Sequence, residues 1–317
     1  MFAGTEEEID MDELRLDDRV AIVTGAGRGL GREYAKLLAA RGAAVVVNDL
    51  GGEPDGTGTS DTPARTAVTE ILEAGGAAVI NTDTVATEEG GASVVECAVR
   101  EFGRIDIVVN NAGIMLSAPF ADTSAEDFRR SFDVNFFGTV NVLRAAWPHL
   151  GRTGAGRVIN TVSSAMLGYP GLSTYGAAKA AVLGLTRTLA LEGAAGGIRV
   201  NAIAPGGFTR LFQVQSGGDG AVSEEIERAS RELMPPALNA PLVAYLAHES
   251  CTLNGEILSS TGGRFTSIVV GETTGVVDRS ATPESIQADL DRITDIKTIR
   301  PLGSLQDQVD RILADLT

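Results

Sequence analysis

The stretch that most limits the possible fold is a short apolar run followed by a glycine-rich turn and a helical pattern. The apolar run covers residues 19–24, the turn covers 25–31, and the helical pattern covers 32–40. A strand, a turn and a helix in this order place free backbone N–H groups at the start of a helix, where a pyrophosphate can bind. The stretch therefore predicts the first unit of an α/β fold and a nucleotide site.

The spacing of the glycines and a later acid refine this prediction. The frequent Gly-x-Gly-x-x-Gly spacing fails because Leu30 occupies its last position, and the spacing that fits is Gly25, Gly29 and Gly31. The second apolar run ends in Asp49, at about the distance from the turn that is typical of a ribose-binding carboxylate. Such a carboxylate accepts a hydrogen bond from the ribose 2′-hydroxyl and repels a 2′-phosphate, which favours NAD over NADP.

Arg28 argues for the opposite cofactor preference. A guanidinium in the glycine-rich turn can meet the 2′-phosphate of NADP. We prefer the interpretation based on Asp49, because a carboxylate at the ribose would repel that phosphate directly.

Strands and helices alternate along the next part of the chain, which predicts a doubly wound parallel sheet of about seven strands with right-handed crossovers. Ligands of such sheets bind beyond the carboxyl ends of the strands. Asp49, Asp83 and residues 110–113 all follow predicted strands. Residues 51–63 are rich in Gly, Thr and Asp, and they predict a long surface loop.

Composition excludes several classes of function. The chain has 317 residues and a net charge of −16, which argues against general nucleic-acid binding. His149 and His248 are the only histidines and no ligand spacing is evident, so we expect no metal. With only Cys97 and Cys251, a disulfide framework is not expected. No apolar run reaches the length of a membrane span and no signal peptide is recognisable, so we expect a cytoplasmic protein without membrane partners.

A tyrosine and a lysine supply candidate acid–base chemistry. Tyr175 and Lys179 lie in a segment that predicts a helix, and residues four apart share one helix face. A cation beside a phenol favours the phenolate and lowers the pKa of the phenol. The pair is therefore a candidate proton donor and acceptor, although a half-exposed aromatic side chain beside a solvated charge would have the same spacing.

Several motifs in this order resemble the short-chain dehydrogenase/reductase family. The resemblance covers about residues 17–263 and implies a Rossmann-type fold. The motifs are Thr24-Gly25-x-x-x-Gly29-x-Gly31, Asn110-Asn111-Ala112-Gly113, Ser163 with Tyr175-x-x-x-Lys179, and Pro205-Gly206. Within the family, residues 45–52 and 248–251 resemble the (3R)-hydroxyacyl-CoA dehydrogenase units of type 2 multifunctional enzymes and related bacterial hydroxysteroid dehydrogenases.

The resemblance implies catalytic roles for four residues. Tyr175 would exchange a proton with the substrate oxygen, Lys179 would lower the pKa of the tyrosine and hold the nicotinamide ribose, and a serine would hydrogen-bond the substrate. Asn135 would hold a water that links Lys179 to solvent; satisfying the backbone of a bent helix is the alternative role. We prefer Ser163 as the serine and keep Ser164 as the alternative, since neither lies at the most frequent distance from Tyr175.

The resemblance also implies a set of cofactor contacts. The glycine-rich turn would hold the pyrophosphate, Asp49 the adenosine ribose, Asp83 and Thr84 the adenine, residues 111–113 the other ribose, and Thr209 the carboxamide or pyrophosphate. The expected cofactor-binding residues are Gly25, Arg28, Gly29, Leu30, Gly31, Asp49, Asp83, Thr84, Asn111, Ala112, Gly113, Tyr175, Lys179, Pro205, Gly206 and Thr209.

These interpretations divide the chain into three parts. Residues 1–16 would be an acidic arm, residues 17–263 the dehydrogenase domain with a substrate loop at 207–240, and residues 264–317 an extension. We expect the extension to pack on the same domain or on a partner subunit of a homodimer or homotetramer; a cover for a long acyl or steroid pocket is the alternative.

Together these features predict an NAD-dependent oxidoreductase acting on a secondary alcohol or ketone. The expected substrate is lipid-like, either a 3-hydroxyacyl-CoA or a hydroxysteroid. Two alternatives remain at this point: an NADP-linked 3-ketoacyl reductase, and a nucleotide sensor that keeps the fold without catalysis.

Overall fold

The structure is a computed structural model that describes residues 13–215 and 224–316. Most of the predicted acidic arm (residues 1–16) and part of the predicted substrate loop (residues 207–240) lie outside the described residues. In the part described, no helix combines the length and the apolarity needed to cross a membrane.

The described residues contain one large sheet and one small sheet. The strands are β1 (Val20–Thr24), β2 (Ala44–Asn48), β3 (Ala77–Asn81), β4 (Ile107–Asn110), β5 (Arg157–Thr161), β6 (Arg199–Gly206), β7 (Ile257–Thr261), β8 (Arg264–Ser267), β9 (Gly271–Glu272) and β10 (Arg300–Pro301). The large sheet has the order β3-β2-β1-β4-β5-β6-β7-β8, and its neighbours from β3 to β7 are parallel. The predicted doubly wound α/β fold is confirmed.

The eighth strand differs from the other seven in direction. β8 runs antiparallel to β7 at the edge of the large sheet. Gly262 and Gly263 connect the two strands with φ values of 57° and 80°. Two consecutive residues with positive φ form the tight hairpin turn that joins antiparallel strands, and glycine adopts this conformation without strain. The first residues of the predicted extension therefore belong to the large sheet.

Helices pack on both faces of the large sheet. They are α1 (Gly29–Ala40), α2 (Thr62–Glu73), α3 (Glu88–Phe102), α4 (Ala125–Phe132), α5 (Gly138–Thr153), α6 (Ser173–Gly193), α7 (Arg210–Gln215), α8 (Glu224–Leu233), α9 (Ala240–Ala247), α10 (Pro283–Ala288), α11 (Leu290–Ile293) and α12 (Leu305–Leu316). In β1, Ala21 and Val23 join the core beneath α1, α2 and α9, whereas Val20 and Ile22 join the core beneath α3 and α5. This alternation is expected for a strand buried on both faces.

The sequence pattern of residues 125–149 predicts one long helix, but the structure interrupts this helix. A π-helical turn at Asp133–Phe137 separates α4 from α5. Such turns insert an extra residue into a helix and occur often at functional sites. Asn135 lies inside this turn and is fully buried. In the extension, residues 283–294 predict an amphipathic helix, which the structure also divides, because α10 ends before Asp289 and α11 begins after it.

Candidate active site

A cleft at the carboxyl edge of the sheet contains most of the predicted cofactor contacts. It lies beyond the ends of β1, β2, β3 and β4, as expected for a ligand site in this fold. The predicted residues that line it are Gly25, Arg28, Gly29, Leu30, Gly31, Asp49, Asp83, Thr84, Asn111, Ala112, Gly113 and Thr209. Four predicted cofactor-binding residues are not among the residues that line the cleft: Pro205 and Gly206, at the end of β6, and Tyr175 and Lys179, on α6.

The glycine-rich turn leads directly into the start of α1. Gly25 has a φ of 63°, and a Cβ at this position would lie 2.8 Å from the Cα of Ala112. Only glycine therefore lets β1 and the residues after β4 approach this closely. The side chain of the capping residue Arg28 makes no hydrogen bond to the N-terminus of α1. Backbone N–H groups at the start of this helix thus face the cleft and suit a pyrophosphate.

Asp49 connects the end of β2 to this turn. Its Oδ2 accepts a hydrogen bond from the N–H of Gly27 at 2.7 Å, and its Oδ1 accepts one from the N–H of Gly51 at 2.7 Å. A carboxylate oxygen can accept more than one hydrogen bond. The Asp49 carboxylate therefore holds the turn in place and can still accept from a ribose hydroxyl.

Asp83 is held in a network of polar side chains after β3. Its Oδ2 accepts from the side-chain amide of Asn81 at 2.9 Å and from the hydroxyl of Ser93 at 2.5 Å. The Oδ1 of Asn81 accepts in turn from the side-chain amide of Asn48 at 2.7 Å. These bonds fix the orientation of the Asp83 carboxylate, which lines the cleft together with Thr84.

Thr24 joins β1 to the segment that follows β4. Its Oγ1 accepts from the backbone N–H groups of Asn111 and Ala112, each at 3.0 Å. The side-chain amide of Asn111 donates to the carbonyl oxygens of Thr24 and Gly25. The threonine of the first motif therefore positions the cleft wall at 111–113.

Tyr175 lies at the start of α6 and is buried, with 7% of its surface exposed. Burial raises its pKa to about 12, and a hydrogen bond with the Ser163 side chain acts in the opposite direction. Ser163 is half-buried whereas Ser164 is exposed, and the Ser163 Oγ accepts from the N–H of Ala165 at 3.2 Å. The structure therefore brings Ser163, the preferred serine of the two, together with Tyr175.

Lys179 lies one turn after Tyr175 but does not bond to its phenol. The Nζ of Lys179 donates to the carbonyl oxygen of Thr161 at 2.9 Å and lies 5.6 Å from the centre of the Tyr175 ring. Burial lowers the pKa of Lys179 to about 8. Removal of the phenol from water dominates the pKa of Tyr175 and raises it, and the expected lowering of that pKa by Lys179 stays a prediction.

Asn135 fulfils one of its two expected roles within the protein. Its side-chain amide donates to the carbonyl oxygens of Ile114 at 2.9 Å and Ser131 at 3.0 Å, so it satisfies the backbone around the π-helical turn. Its Oδ1 is buried and has no hydrogen-bond partner among the described residues. A buried acceptor of this kind is usually satisfied by a water or a ligand, which fits the other expected role.

Three features of the site were not predicted from the sequence. The carbonyl of Thr161 binds Lys179, and no side-chain pattern could have indicated a backbone partner. Gly52 and Glu53 belong to the segment predicted as a surface loop, yet they line the cleft. Arg210 lines it as well, and a single arginine carries no spacing pattern that would place it at a cofactor cleft.

Comparison with known proteins identifies the family. Residues 19–216 match the family described as short chain dehydrogenase. A short-chain type dehydrogenase/reductase of Mycobacterium tuberculosis is 42% identical over 290 residues, which are 91% of this chain and 98% of that protein. The peroxisomal multifunctional enzyme type 2 of Drosophila melanogaster has a similar structure, with a TM-score of 0.77 and 34% identity. That match covers 95% of this chain and 50% of the Drosophila chain, so our chain spans about half of that enzyme's length.

A third similar structure contains bound ligands. It is a 7α-hydroxysteroid dehydrogenase in complex with NADH and 7-oxo glycochenodeoxycholic acid, with a TM-score of 0.68 and 31% identity. The match covers 79% of this chain and 95% of that one. The family resemblance drawn from the motifs is confirmed, and the chain is an oxidoreductase that belongs to the short-chain dehydrogenase/reductase family.

Proposed function

We propose that this protein is an NAD-dependent oxidoreductase that interconverts a 3-hydroxyacyl-CoA and the corresponding 3-ketoacyl-CoA. The observation that carries the proposal is the position of Tyr175, Ser163 and Lys179 beside the cleft formed by the glycine-rich turn. A Cβ at Gly113, which lines that cleft, would lie 3.6 Å from the Nζ of Lys179. A nucleotide sensor would need the cleft but not these three side chains.

The residues of the cleft fit a dinucleotide. The uncapped start of α1 suits the pyrophosphate, Asp49 suits the adenosine ribose, and the fixed carboxylate of Asp83 suits the adenine. The Asp49 carboxylate would repel the 2′-phosphate of NADP, and this supports NAD as the cofactor. When bound, the nicotinamide exchanges a hydride with the carbinol carbon of the substrate.

Side chains of the protein would transfer the proton. With a pKa of about 12, Tyr175 holds its proton at neutral pH and can donate it to a ketone oxygen during reduction. Ser163, which hydrogen-bonds the tyrosine side chain, would hold the same oxygen. During oxidation Tyr175 would take the proton of the alcohol, and the charge of Lys179 would stabilise the phenolate.

Asn135 and Lys179 would form the start of a route for that proton. The Oδ1 of Asn135 and the Nζ of Lys179 both face Gly113, at 2.6 Å and 3.6 Å from the position of a Cβ there. A water held by the free Oδ1 would lie in the space near Lys179. This arrangement would let Lys179 exchange protons with solvent between turnovers.

The surroundings of Tyr175 support a lipid-like substrate. Tyr175 packs in an apolar cluster with Met115 and Leu172, against which Leu211 also packs. Leu167, in the segment between Ser163 and Tyr175, leaves 71% of its surface exposed. The similarity to the Drosophila multifunctional enzyme over 95% of our chain supports an acyl-CoA. A hydroxysteroid is the second candidate, and the likeness to the 7α-hydroxysteroid dehydrogenase supports it.

A substrate panel tests the function. Purified protein is mixed with NAD⁺ or NADP⁺ and with (3R)- and (3S)-hydroxyacyl-CoA thioesters or hydroxysteroids, and NADH or NADPH is followed by absorbance. We expect turnover with NAD⁺ and a 3-hydroxyacyl-CoA. Turnover with hydroxysteroids and not with acyl-CoA thioesters would identify a hydroxysteroid as the substrate. Nucleotide binding without turnover of either class would contradict the enzymatic function.

We also propose that residues 264–317 pack against a second copy of the chain. Within the described part of this segment, β9 and β10 pair with each other, and the carbonyl of Leu302 accepts a hydrogen bond from Arg187 of α6. Ile296 and Leu305 each leave 75% of their surface exposed. Within the described part of the segment, thirteen large apolar side chains are exposed, and such a number on one segment is typical of an interaction surface.

A further inference from the structure

The loop between β2 and α2 crosses the mouth of the cofactor cleft. This β2–α2 loop covers residues 49–61, and the N–H of Ser60 donates to the carbonyl of Leu50 at 2.9 Å, which closes the neck of the loop. Several of its residues line the cleft: Asp49, Leu50, Gly52, Glu53, Pro54 and Gly56. The loop is therefore part of the site and not only a connection on the surface.

One side of the β2–α2 loop is anchored to the far wall of the cleft. The carbonyl of Pro54 accepts from the N–H of Met115, in the segment after β4, at 2.9 Å. The carbonyl of Asp55 accepts from the guanidinium of Arg130, on α4, at 2.7 Å. These bonds hold the tip of the loop in place over the cleft.

The other side of the loop contacts the start of α7 through an ion pair. The Nη1 of Arg210 lies 3.2 Å from the Oε2 of Glu53, and its Nη2 donates to the carbonyl of Gly52 at 3.3 Å. Arg28 of the glycine-rich turn donates to the same carbonyl at 3.3 Å. Burial and the neighbouring guanidinium of Arg28 lower the pKa of Arg210, which agrees with the closeness of the two arginines.

Arg210 follows directly after a residue that packs on the glycine-rich turn. A Cβ at Gly29 would lie 3.4 Å from the Cγ2 of Thr209. Glu53, for its part, lies four residues after Asp49, on the side proposed to hold the adenosine ribose. The Glu53–Arg210 contact thus joins the wall at the pyrophosphate position to the wall at the ribose position.

We propose that the Glu53–Arg210 ion pair is a latch that opens each time a dinucleotide enters or leaves the cleft. Glu53 and Arg210 are then positioning residues that set the rates of cofactor exchange. This inference rests on the proposed nucleotide binding. Both side chains keep contact with water, and exposed ion pairs are weak, so the pair can open at every turnover without a large barrier.

Two substitutions of opposite charge separate a latch from simple electrostatic attraction. Glu53→Gln makes the cleft more positive, and Arg210→Gln makes it more negative. If these side chains only attract or repel the nucleotide, the two substitutions move its association rate in opposite directions. If they form a latch, both substitutions accelerate association and dissociation together, and the dissociation constant changes little.

The test measures NADH binding by stopped-flow fluorescence with the full chain. We expect each substitution to raise the association and dissociation rate constants about threefold, which corresponds to the free energy of one exposed ion pair. In the double variant Glu53→Arg with Arg210→Glu the ion pair can form again with its charges exchanged, so we expect both rate constants to return towards the wild-type values. Glu126→Gln is the matched control, because it removes an ion pair of similar length (3.3 Å to Arg129) on α4, where neither partner lines the cleft.

The outcomes distinguish the latch from the proposed function. Association rates that move in opposite directions, or wild-type rates in both variants, overturn the latch. The same acceleration in Glu126→Gln also overturns it, because a general loosening of the fold would then explain the effect. A wild-type protein that binds neither NADH nor NADPH overturns the proposed function, and the latch with it.

Discussion

Gly113 lies directly against the side chain of Asn135. A Cβ at position 113 would be 2.6 Å from the Oδ1 of Asn135. Gly113 also lines the cofactor cleft, whereas Asn135 sits in the π-helical turn between α4 and α5. The nucleotide cleft meets the catalytic side chains at this contact. Because glycine has no side chain, the cleft at position 113 is continuous with the space around Asn135.

Gly113→Ala tests that relationship. The added methyl group has to displace Asn135 or the segment that follows β4, and we expect kcat/KM to fall at least about tenfold and the free energy of unfolding to drop by about 1–3 kcal/mol. Steady-state kinetics and urea unfolding measure the two effects. Gly184→Ala in α6 is the control, since nothing lies within 4 Å of a Cβ there. Wild-type kinetics of Gly113→Ala would contradict the claim that the nucleotide cleft and the catalytic side chains meet at Gly113.

Lys179 gives a pH dependence of stability. Its folded-state pKa of about 8 lies below the ordinary value of 10.5. Between these values the unfolded chain keeps a proton that the folded protein has lost, so the free energy of unfolding rises with pH. Relative to Lys179→Met, we expect wild type to gain up to about 3 kcal/mol across this window, at about 1.4 kcal/mol per pKa unit. Urea unfolding of both proteins without nucleotide measures it, and parallel pH profiles would show that Lys179 is not perturbed.

Asp49→Asn tests the preference for NAD. The substitution keeps the size of the side chain but removes its charge. It also removes one of the two carboxylate oxygens that accept hydrogen bonds from the N–H groups of Gly27 and Gly51 in the wild-type protein. We expect weaker NADH binding, tighter NADPH binding and a fall in the discrimination between them of at least about tenfold. Dissociation constants from fluorescence titration decide the matter. Wild-type protein that prefers NADPH would refute the assignment of Asp49.

Leu305→Asp tests the proposed contact between subunits. We expect wild type to sediment as a dimer or tetramer, and the variant to dissociate at concentrations where wild type stays assembled, because a buried unpaired carboxylate is costly. Leu72→Asp on α2, also an exposed leucine, is the control. A monomeric wild type, or equal dissociation of both variants, would contradict the proposal.

Strand and helix positions could be predicted because both faces of the sheet are buried. In β1 every residue is buried, so the apolar run itself marks the strand. The residues at the strand ends, such as Asp49 and Asp83, could be placed at one edge because parallel strands end together. Thr209, by contrast, was expected at the cleft only because of the family resemblance, and it packs near Gly29 there.

Other features depend on contacts that sequence patterns do not encode. Lys179 binds a backbone carbonyl, and the burial that raises the pKa of Tyr175 depends on surrounding elements distant in sequence. The π-helical turn around Asn135 has no side-chain signature, so the segment resembled one continuous helix. The β2–α2 loop has a polar composition typical of a surface loop, and only its tertiary contacts bring Glu53 to the cleft.

The central claim is that Tyr175 transfers the substrate proton in an NAD-dependent reaction. The most direct measurement is kcat of wild type and Tyr175→Phe with NAD⁺ and a 3-hydroxyacyl-CoA, beside the NADH dissociation constant of each. We predict that the variant binds NADH like wild type and loses about 10²- to 10⁴-fold in kcat, the usual contribution of a positioned acid or base. A variant that turns over at the wild-type rate would contradict the claim.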